Sequence, residues 1–290
     1  MHLNTFSIVA YDPDEKAWGV AVASKFLAAG AVVNWAQANA GAVATQSYAK
    51  VSFGADGLKM MADGMSATET LTALLADDPG REQRQVGLVD REGHVAAHTG
   101  KNCHEWAGHR IGEGFTVQGN ILTGSDVLES MSDAYTAAKG ELADRLVAAL
   151  LAGSAAGGDK RGKQAAAVLV VCENGGYGGD NDRYIDLRVD DDETPIRKLR
   201  QLLDSHHLFF GIPKKEDRMR IDTEIASELQ RIMMKQGYWS GEVDGSWDAI
   251  SQQAFWTLIG NENLEERWNM DKDPSHIDRV ALEYLRRRFG

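Results

Sequence analysis

Two alternating, β-branched runs, "NTFSIVAYD" and "AWGVAVASKF", flank the short turn "PDEK". Nothing else in the chain narrows its fold as much. A period of two in the apolar residues puts alternate side chains on opposite faces of a strand, and Pro13 presets the backbone for a turn. Two such runs joined so closely make an antiparallel hairpin. The rest of the chain has to extend that hairpin or cover it.

Downstream, "AAGAVVNWAQANAGAVATQSY" adds one or two strands broken at glycines. "SFGADGLKMMADGMSATETLTALLADD" switches to helical spacing, and Ser66 with Glu69 makes a capping box at the start of its second helix. "QVGLVD", the turn "REG" and "HVAAHTG" form a further hairpin, and after a loop "FTVQGNIL" reads as a strand. Residues 125–153 return to helical periodicity through Val127, Leu128, Met131, Ala134 and Tyr135, then through Leu142, Leu146 and Leu150. The glycine-rich loop "SAAGGDKRGKQ" leads into a buried strand, "AAAVLVVCE". "RYIDLRVDDD" is another strand, and "TPIRKLRQLLDSHHLFF" a helix with Pro195 in its first turn. Blocks of hairpin-spaced strands alternating with helices favour an α+β layered sandwich over a doubly wound parallel sheet.

A chain of 290 residues suffices for one large domain or two ordinary ones. It is 43% hydrophobic and 26% charged, which is the balance of a soluble globular protein. Its formal charge of −12 argues against a nucleic-acid or anionic-membrane partner. Cys103 and Cys172 could form one disulfide at most, so a reducing compartment is expected. The apolar stretch "AWGVAVASKFLAAGAVVNWA" is interrupted by Lys25 and glycines, and no leader pattern is visible. A cytoplasmic location is the expectation.

Thr5 is the first residue with a chemical question attached. Ahead of an alternating run it is one more β-former. With a free amino group it would be a nucleophile carrying its own base. The loop "GGDKRGKQ" is the second candidate: Gly157 and Gly158 allow close backbone approach, and Asp159, Lys160, Arg161, Lys163 and Gln164 come directly after them. Arg161 could fork onto an anionic or amide group, or Asp159 could pair with Arg161 and shape a turn. The loop lacks the GxxxxGK[ST] pattern of a phosphate loop and precedes a strand. His94, His98, Cys103, His104 and His109 cluster without standard zinc spacing, so no metal or other cofactor is expected. A metal-dependent hydrolase built on these histidines is the weaker option, and His98 could instead lie near a cleft.

The stretches "TFSIVAYD", "VAVASKFLAAGAVV", "GAVATQS", "DPGREQRQVGLVD", "AHTG", "VQGN", "GGDKRGKQ" and "DRYIDLRVDD", in that order, resemble an uncharacterised bacterial family of the N-terminal-nucleophile (Ntn) hydrolase superfamily. The resemblance spans most of residues 4–212. It implies an αββα four-layer sandwich and attack on an amide carbonyl by Thr5, whose α-amine accepts the hydroxyl proton. It further implies that Lys25 tunes the nucleophile, that Asn120 is an oxyanion donor, and that Ser24, Gln46, His98, Asp159, Arg161 and Gln164 contact substrate. The chain departs from the scheme in two places. "MHLN" precedes Thr5, whose nitrogen is an amide unless the Asn4–Thr5 bond is cut, and Ala165 stands where the family usually has serine.

Beyond the charged linker "GIPKKEDR" the character changes, with four of the seven tryptophans (Trp239, Trp247, Trp256, Trp268) in the remainder. A helix containing "LQ", then Gly237, Tyr238, Trp239, Gly241, Asp244 and Gly245, resembles a small three-helix peptidoglycan-binding-like domain. A further helix is expected from about Asp278, with Val280, Leu282, Leu285 and Phe289 on its inner face. Tyr238, Trp239, Asp244 and Trp247 are candidate contacts to a peptidoglycan fragment, or else they build a small core.

The expected organisation is a sandwich domain over residues 1–212 and a small all-α domain over 213–290. The expected activity is hydrolysis of a C–N amide bond in a small molecule or peptide, with Thr5 as nucleophile. The alternative is a non-catalytic binding or scaffold protein. An exposed sheet edge or the aromatic tail could support a homodimer.

Overall fold

The computed structural model describes residues 5–211 and 215–290. Residues 1–4, including the Asn4 side of the Asn4–Thr5 bond, and the centre of the expected linker lie outside the described residues. The chain divides into two compact units, the first ending at Leu203 and the second beginning at Asp204.

The expected first hairpin is formed by β1 (Thr5–Asp12) and β2 (Ala17–Ser24), paired from Thr5↔Ser24 to Asp12↔Ala17. A one-turn helix, α1 (Gly30–Val33), precedes β3 (Asn34–Gln37) and β4 (Gly41–Ser47). Helices α2 (Ser52–Ala62) and α3 (Ala67–Ala76) come next, the latter capped reciprocally by Ser66 and Glu69 as the sequence requires. They are succeeded by β5 (Arg84–Asp90), β6 (Val95–Thr99), β7 (Gly108–Gly112) and β8 (Phe115–Asn120). Helices α4 (Asp126–Ala137) and α5 (Leu142–Ala155) lead to β9 (Ala165–Cys172), β10 (Arg183–Val189) and α6 (Pro195–Phe210).

The strands form a six-stranded sheet in the order β10-β9-β2-β1-β8-β7 and a four-stranded sheet in the order β3-β4-β5-β6. β7 falls where the sequence reads as loop. Its "GHRIG" lies at a sheet edge and is largely exposed, so it carries no apolar alternation to find.

Alternation along the strands divides the core. Phe6, Ile8, Ala21, Ala23 and Val117 share one apolar cluster with Leu128, Met131, Leu146 and Leu150 of α4 and α5 and Ile196 and Leu199 of α6. The opposite parity, Val9, Trp18, Val20 and Val22, packs with Ala42, Ala44 and Val89 of the four-stranded sheet. That sheet turns Val43, Val86 and Leu88 toward Phe53, Leu58 and Met61 of α2 and Leu74 of α3. Gly19 permits the closest approach of α5, since a Cβ there would lie 2.6 Å from Leu146. A strand with both faces covered reads as a continuous apolar run, as β2 and β9 do.

The second unit contains α7 (Thr223–Lys235), α8 (Ala249–Asn261) and α9 (Arg279–Phe289). It departs from the expected all-α domain by a short antiparallel ribbon, β11 (Arg218–Arg220) with β12 (His276–Asp278). Three-residue polar strands leave no periodic trace, and the ribbon takes up the end of the expected linker. α9 buries Ala281, Leu282 and Leu285, but the expected inward Val280 is exposed. The core is aromatic: Phe255 lies edge-on to Trp268 at 4.9 Å and to Trp247 at 5.4 Å. Among the described residues no helix is long and apolar enough to cross a membrane.

Candidate functional site

The register of the larger sheet sets the neighbours of Thr5. It pairs with Ser24 on β2 and with Asn120 on β8, and all three are buried. Thr5 Oγ1 donates to Ser24 Oγ at 3.2 Å. The face that Thr5 shares with Ser7 looks toward the four-stranded sheet. There polar side chains occupy positions that would otherwise be apolar: Gln46 on β4, Gln85 on β5, and Thr116, Gln118 and Asn120 on β8.

These groups form one hydrogen-bonded chain. Thr116 Oγ1 donates to the Arg110 carbonyl at 2.9 Å and lies 3.3 Å from Gln118 Oε1, and Gln118 Nε2 donates to Ser7 Oγ at 2.6 Å. Ser7 Oγ donates to Gln46 Oε1 at 2.7 Å. Gln46 Nε2 donates to Gln85 Oε1 at 2.9 Å and to the Thr5 and Gln118 carbonyls at 3.4 and 3.3 Å. Gln85 Nε2 reaches Thr99 Oγ1 and the carbonyls of Gly108 and Gly119. Asn120 Nδ2 also donates to Gln85 Oε1, at 2.9 Å. Asn120 Oδ1 has no hydrogen-bond partner among the described residues. Buried amides are costly unless satisfied, so this chain is a built feature of the layer.

Gln46 and Asn120 therefore lie beside Thr5, with Asn120 Nδ2 engaged by Gln85. Lys25 does not join them. It is exposed, its backbone N–H donates to Asp159 Oδ2 at 3.0 Å and its ammonium to the Lys163 carbonyl at 3.4 Å. Asp159 is buried and ion-paired with Arg161 at 2.9 Å, which is the turn-shaping arrangement. Gly157 and Gly158 have φ of 118° and 60°, which their missing Cβ permits. With Ser24, Phe6, Lys163 and Ile196 this loop lines a cavity of about 60 Å³. Gln164 Nε2 faces outward to Asp191 at 3.0 Å.

The histidines take separate hydrogen-bond partners, although His98 lies near His109. His94 contacts Asp90, His98 the Arg81 carbonyl, His104 the Tyr48 hydroxyl, and His109 Thr99 Oγ1. Among the described residues no group of three or more His, Cys, Asp or Glu is placed to hold a metal ion. Burial pushes the Cys103 thiol up, away from the reactive thiolate. At the start of β5, Arg84 donates to Asp78 at 2.7 Å and holds that carboxyl below its ordinary range.

In the second unit Asp244 accepts from Gln230, from the Ser246 N–H and from the Ser246 hydroxyl. The Ser246 backbone bond, then Gln230, draws its carboxyl down to about 2. Trp239 Nε1 donates to the Glu242 carbonyl and Trp247 Nε1 to the Pro274 carbonyl. Tyr238, Trp239 and Trp247 are half-buried and packed on the apolar cluster.

Ser7, Gln85, Thr116 and Gln118 escape a motif search. Their trace is a glutamine in each of "GAVATQS", "RQVGLVD" and "FTVQGN", together with Gly87, where a Cβ would meet Gln118 Oε1 at 2.3 Å.

Residues 209–285 match a family model described as "Putative peptidoglycan binding domain". No curated protein matches the chain. The crystal structure of protein SPO2555 from Silicibacter pomeroyi, which carries the family model DUF1028, is similar at 30% identity and a TM-score of 0.65, over 74% of this chain and 93% of that one. Residues 5–199 match the model of that same family, and the chain belongs to it: the family of unknown function DUF1028.

Proposed function

We propose that residues 1–212 form a C–N amide hydrolase with the αββα layering of N-terminal-nucleophile enzymes, and that Thr5 is its nucleophile once the Asn4–Thr5 bond is opened. The observation that carries this reading is position. Thr5 begins an interior strand of the larger sheet, with the Ser24 hydroxyl 3.2 Å from its own and Asn120 opposite.

Opening the bond converts an amide nitrogen into an α-amine with a pKa of roughly 7.7–8.0, able to take a proton near neutral pH. Thr5 Oγ1 then adds to the substrate carbonyl while its proton passes to the α-amine. Collapse breaks the C–N bond, and the leaving nitrogen takes that proton. The acyl group stays on Thr5 as an ester until water attacks it, releasing a carboxylic acid and restoring the hydroxyl. Lys25 is left out of this scheme because its ammonium is turned to Lys163. The substrate class is a small-molecule or peptide amide. The match of the C-terminal unit supports a peptidoglycan fragment as the ligand of residues 213–290.

Intact mass and N-terminal sequencing of protein purified from its native host test the reading, with Thr5→Ala alongside. Wild-type chain beginning at Thr5, and a Thr5→Ala chain that does not hydrolyse a panel of muropeptide and dipeptide amides, are the expected results. Hydrolysis undiminished in Thr5→Ala would sink it. The complete burial of Thr5 favours a second reading, a non-catalytic binding protein, in which Thr5→Ala leaves ligand binding unchanged.

A further inference from the structure

The amide chain between the sheets has a direction, and backbone carbonyls set it. A carbonyl oxygen only accepts, so the Gln46 atom facing the Thr5 and Gln118 carbonyls has to be Nε2. The Gln85 atom facing the Gly108 and Gly119 carbonyls has to be Nε2 for the same reason. Gln85 thus turns Oε1 toward both Gln46 and Asn120. An oxygen there forces Asn120 to present Nδ2 to it, which leaves Asn120 Oδ1 as the other arm of the fork. That oxygen is buried and has no donor among the described residues. In the register of β1 and β8, Asn120 is the antiparallel cross-strand partner of Thr5.

We propose that Gln85 is a positioning residue that locks Asn120 as an acceptor, and that Asn120 Oδ1 receives an N–H of the Thr5 α-amine and aims its lone pair at Oγ1. This rests on the amide-hydrolase reading above and reverses the expected role of Asn120, which serves the amine and not the oxyanion. Among the described residues the side chains hydrogen-bonded to Thr5, Ser24 and Gln46, are uncharged. The charged groups on the flanking segments are engaged elsewhere: Lys25 with Lys163, Asp159 with Arg161, and Arg84 with Asp78. An acceptor at Asn120 is therefore the group placed to govern the protonation of the amine.

The test uses full chain labelled with 15N-threonine, matured in its host, with the Thr5 α-amine resonance followed against pH. Asn120→Asp is expected to raise the midpoint by about one pH unit or more, because a carboxylate holds the ammonium form. Asn120→Ala is expected to lower it by about half a unit, and Gln85→Leu to lower it in the same direction while Asn120 itself is intact. The alanine and leucine variants keep the test open should the buried aspartate fail to fold. An amine resonance whose midpoint is the same in all folded variants overturns the role of Asn120 and leaves the hydrolase reading standing. Absence of any amine resonance in matured wild-type chain overturns both.

Discussion

The layer between the two sheets has two ends built from the same strands, and they are held together differently. At one end Val9, Trp18, Val20, Val89 and Leu169 make an apolar contact. At the other, Ser7, Gln46, Gln85, Gln118 and Asn120 replace it with a chain of amides and hydroxyls. Apolar contact is non-directional and loses stability in proportion to the area and volume removed. An amide chain has to be satisfied group by group, and removing one member strands its partners. The apolar end therefore tolerates change, whereas the polar end is brittle and single-valued. Thr5 sits at the brittle end.

The largest expected effect is from Gln46→Ala, which removes at once the acceptor of the Ser7 hydroxyl and the donor to Gln85 Oε1 and to the carbonyls of Thr5 and Gln118. A loss of about 4 kcal/mol in urea unfolding is expected. Leu169→Ala at the apolar end removes buried volume without stranding a polar group and is expected to cost about 3 kcal/mol. A Gln46→Ala protein more stable than Leu169→Ala would break the comparison.

The smallest effect, and the one with a pH signature, comes from Asp78, which anchors Arg84 at the polar end through a hydrogen bond. Its folded carboxyl lies below the ordinary value of about 3.9, so it contributes stability above that pH and loses it as pH falls through the lowered value. Asp78→Asn is expected to cost about 1.5 kcal/mol at pH 7, with the gap to wild type constant down to pH 5 and closing below about pH 4. Urea midpoints at pH 7, 5 and 3 check it. A gap unchanged at pH 3 would separate Asp78 from the electrostatics of this end.

The first hairpin, the capping box at Ser66, the buried strand at 165–172 and the helix from Pro195 were all legible, because each carries its own local periodicity or cap. β7 and the β11–β12 ribbon were not, since strands that are exposed or only three residues long gain their pairing from a partner distant in the chain. Thr5, Gln46 and Asn120 were visible as candidates on the matching stretches. Gln85 and Gln118 were not, because a lone glutamine in a strand has no meaning until its facing strand is known. Lys25 shows the converse, for although it follows Ser24 in sequence its amine donates to the Lys163 carbonyl. In the C-terminal unit the tryptophans were visible, but whether they bind or pack was not.

By itself the sequence determined the α+β composition, the antiparallel hairpins and the family, because these rest on patterns short enough to be read within single elements. Only the tertiary structure decided which parity of β1 faces the second sheet, that the amides of β4, β5 and β8 join into one chain, and that Asn120 is left with a spare acceptor. Those outcomes depend on where backbone carbonyls from distant strands come to lie. Hydrogen-bond direction is a property of the assembled sheets and of no single strand.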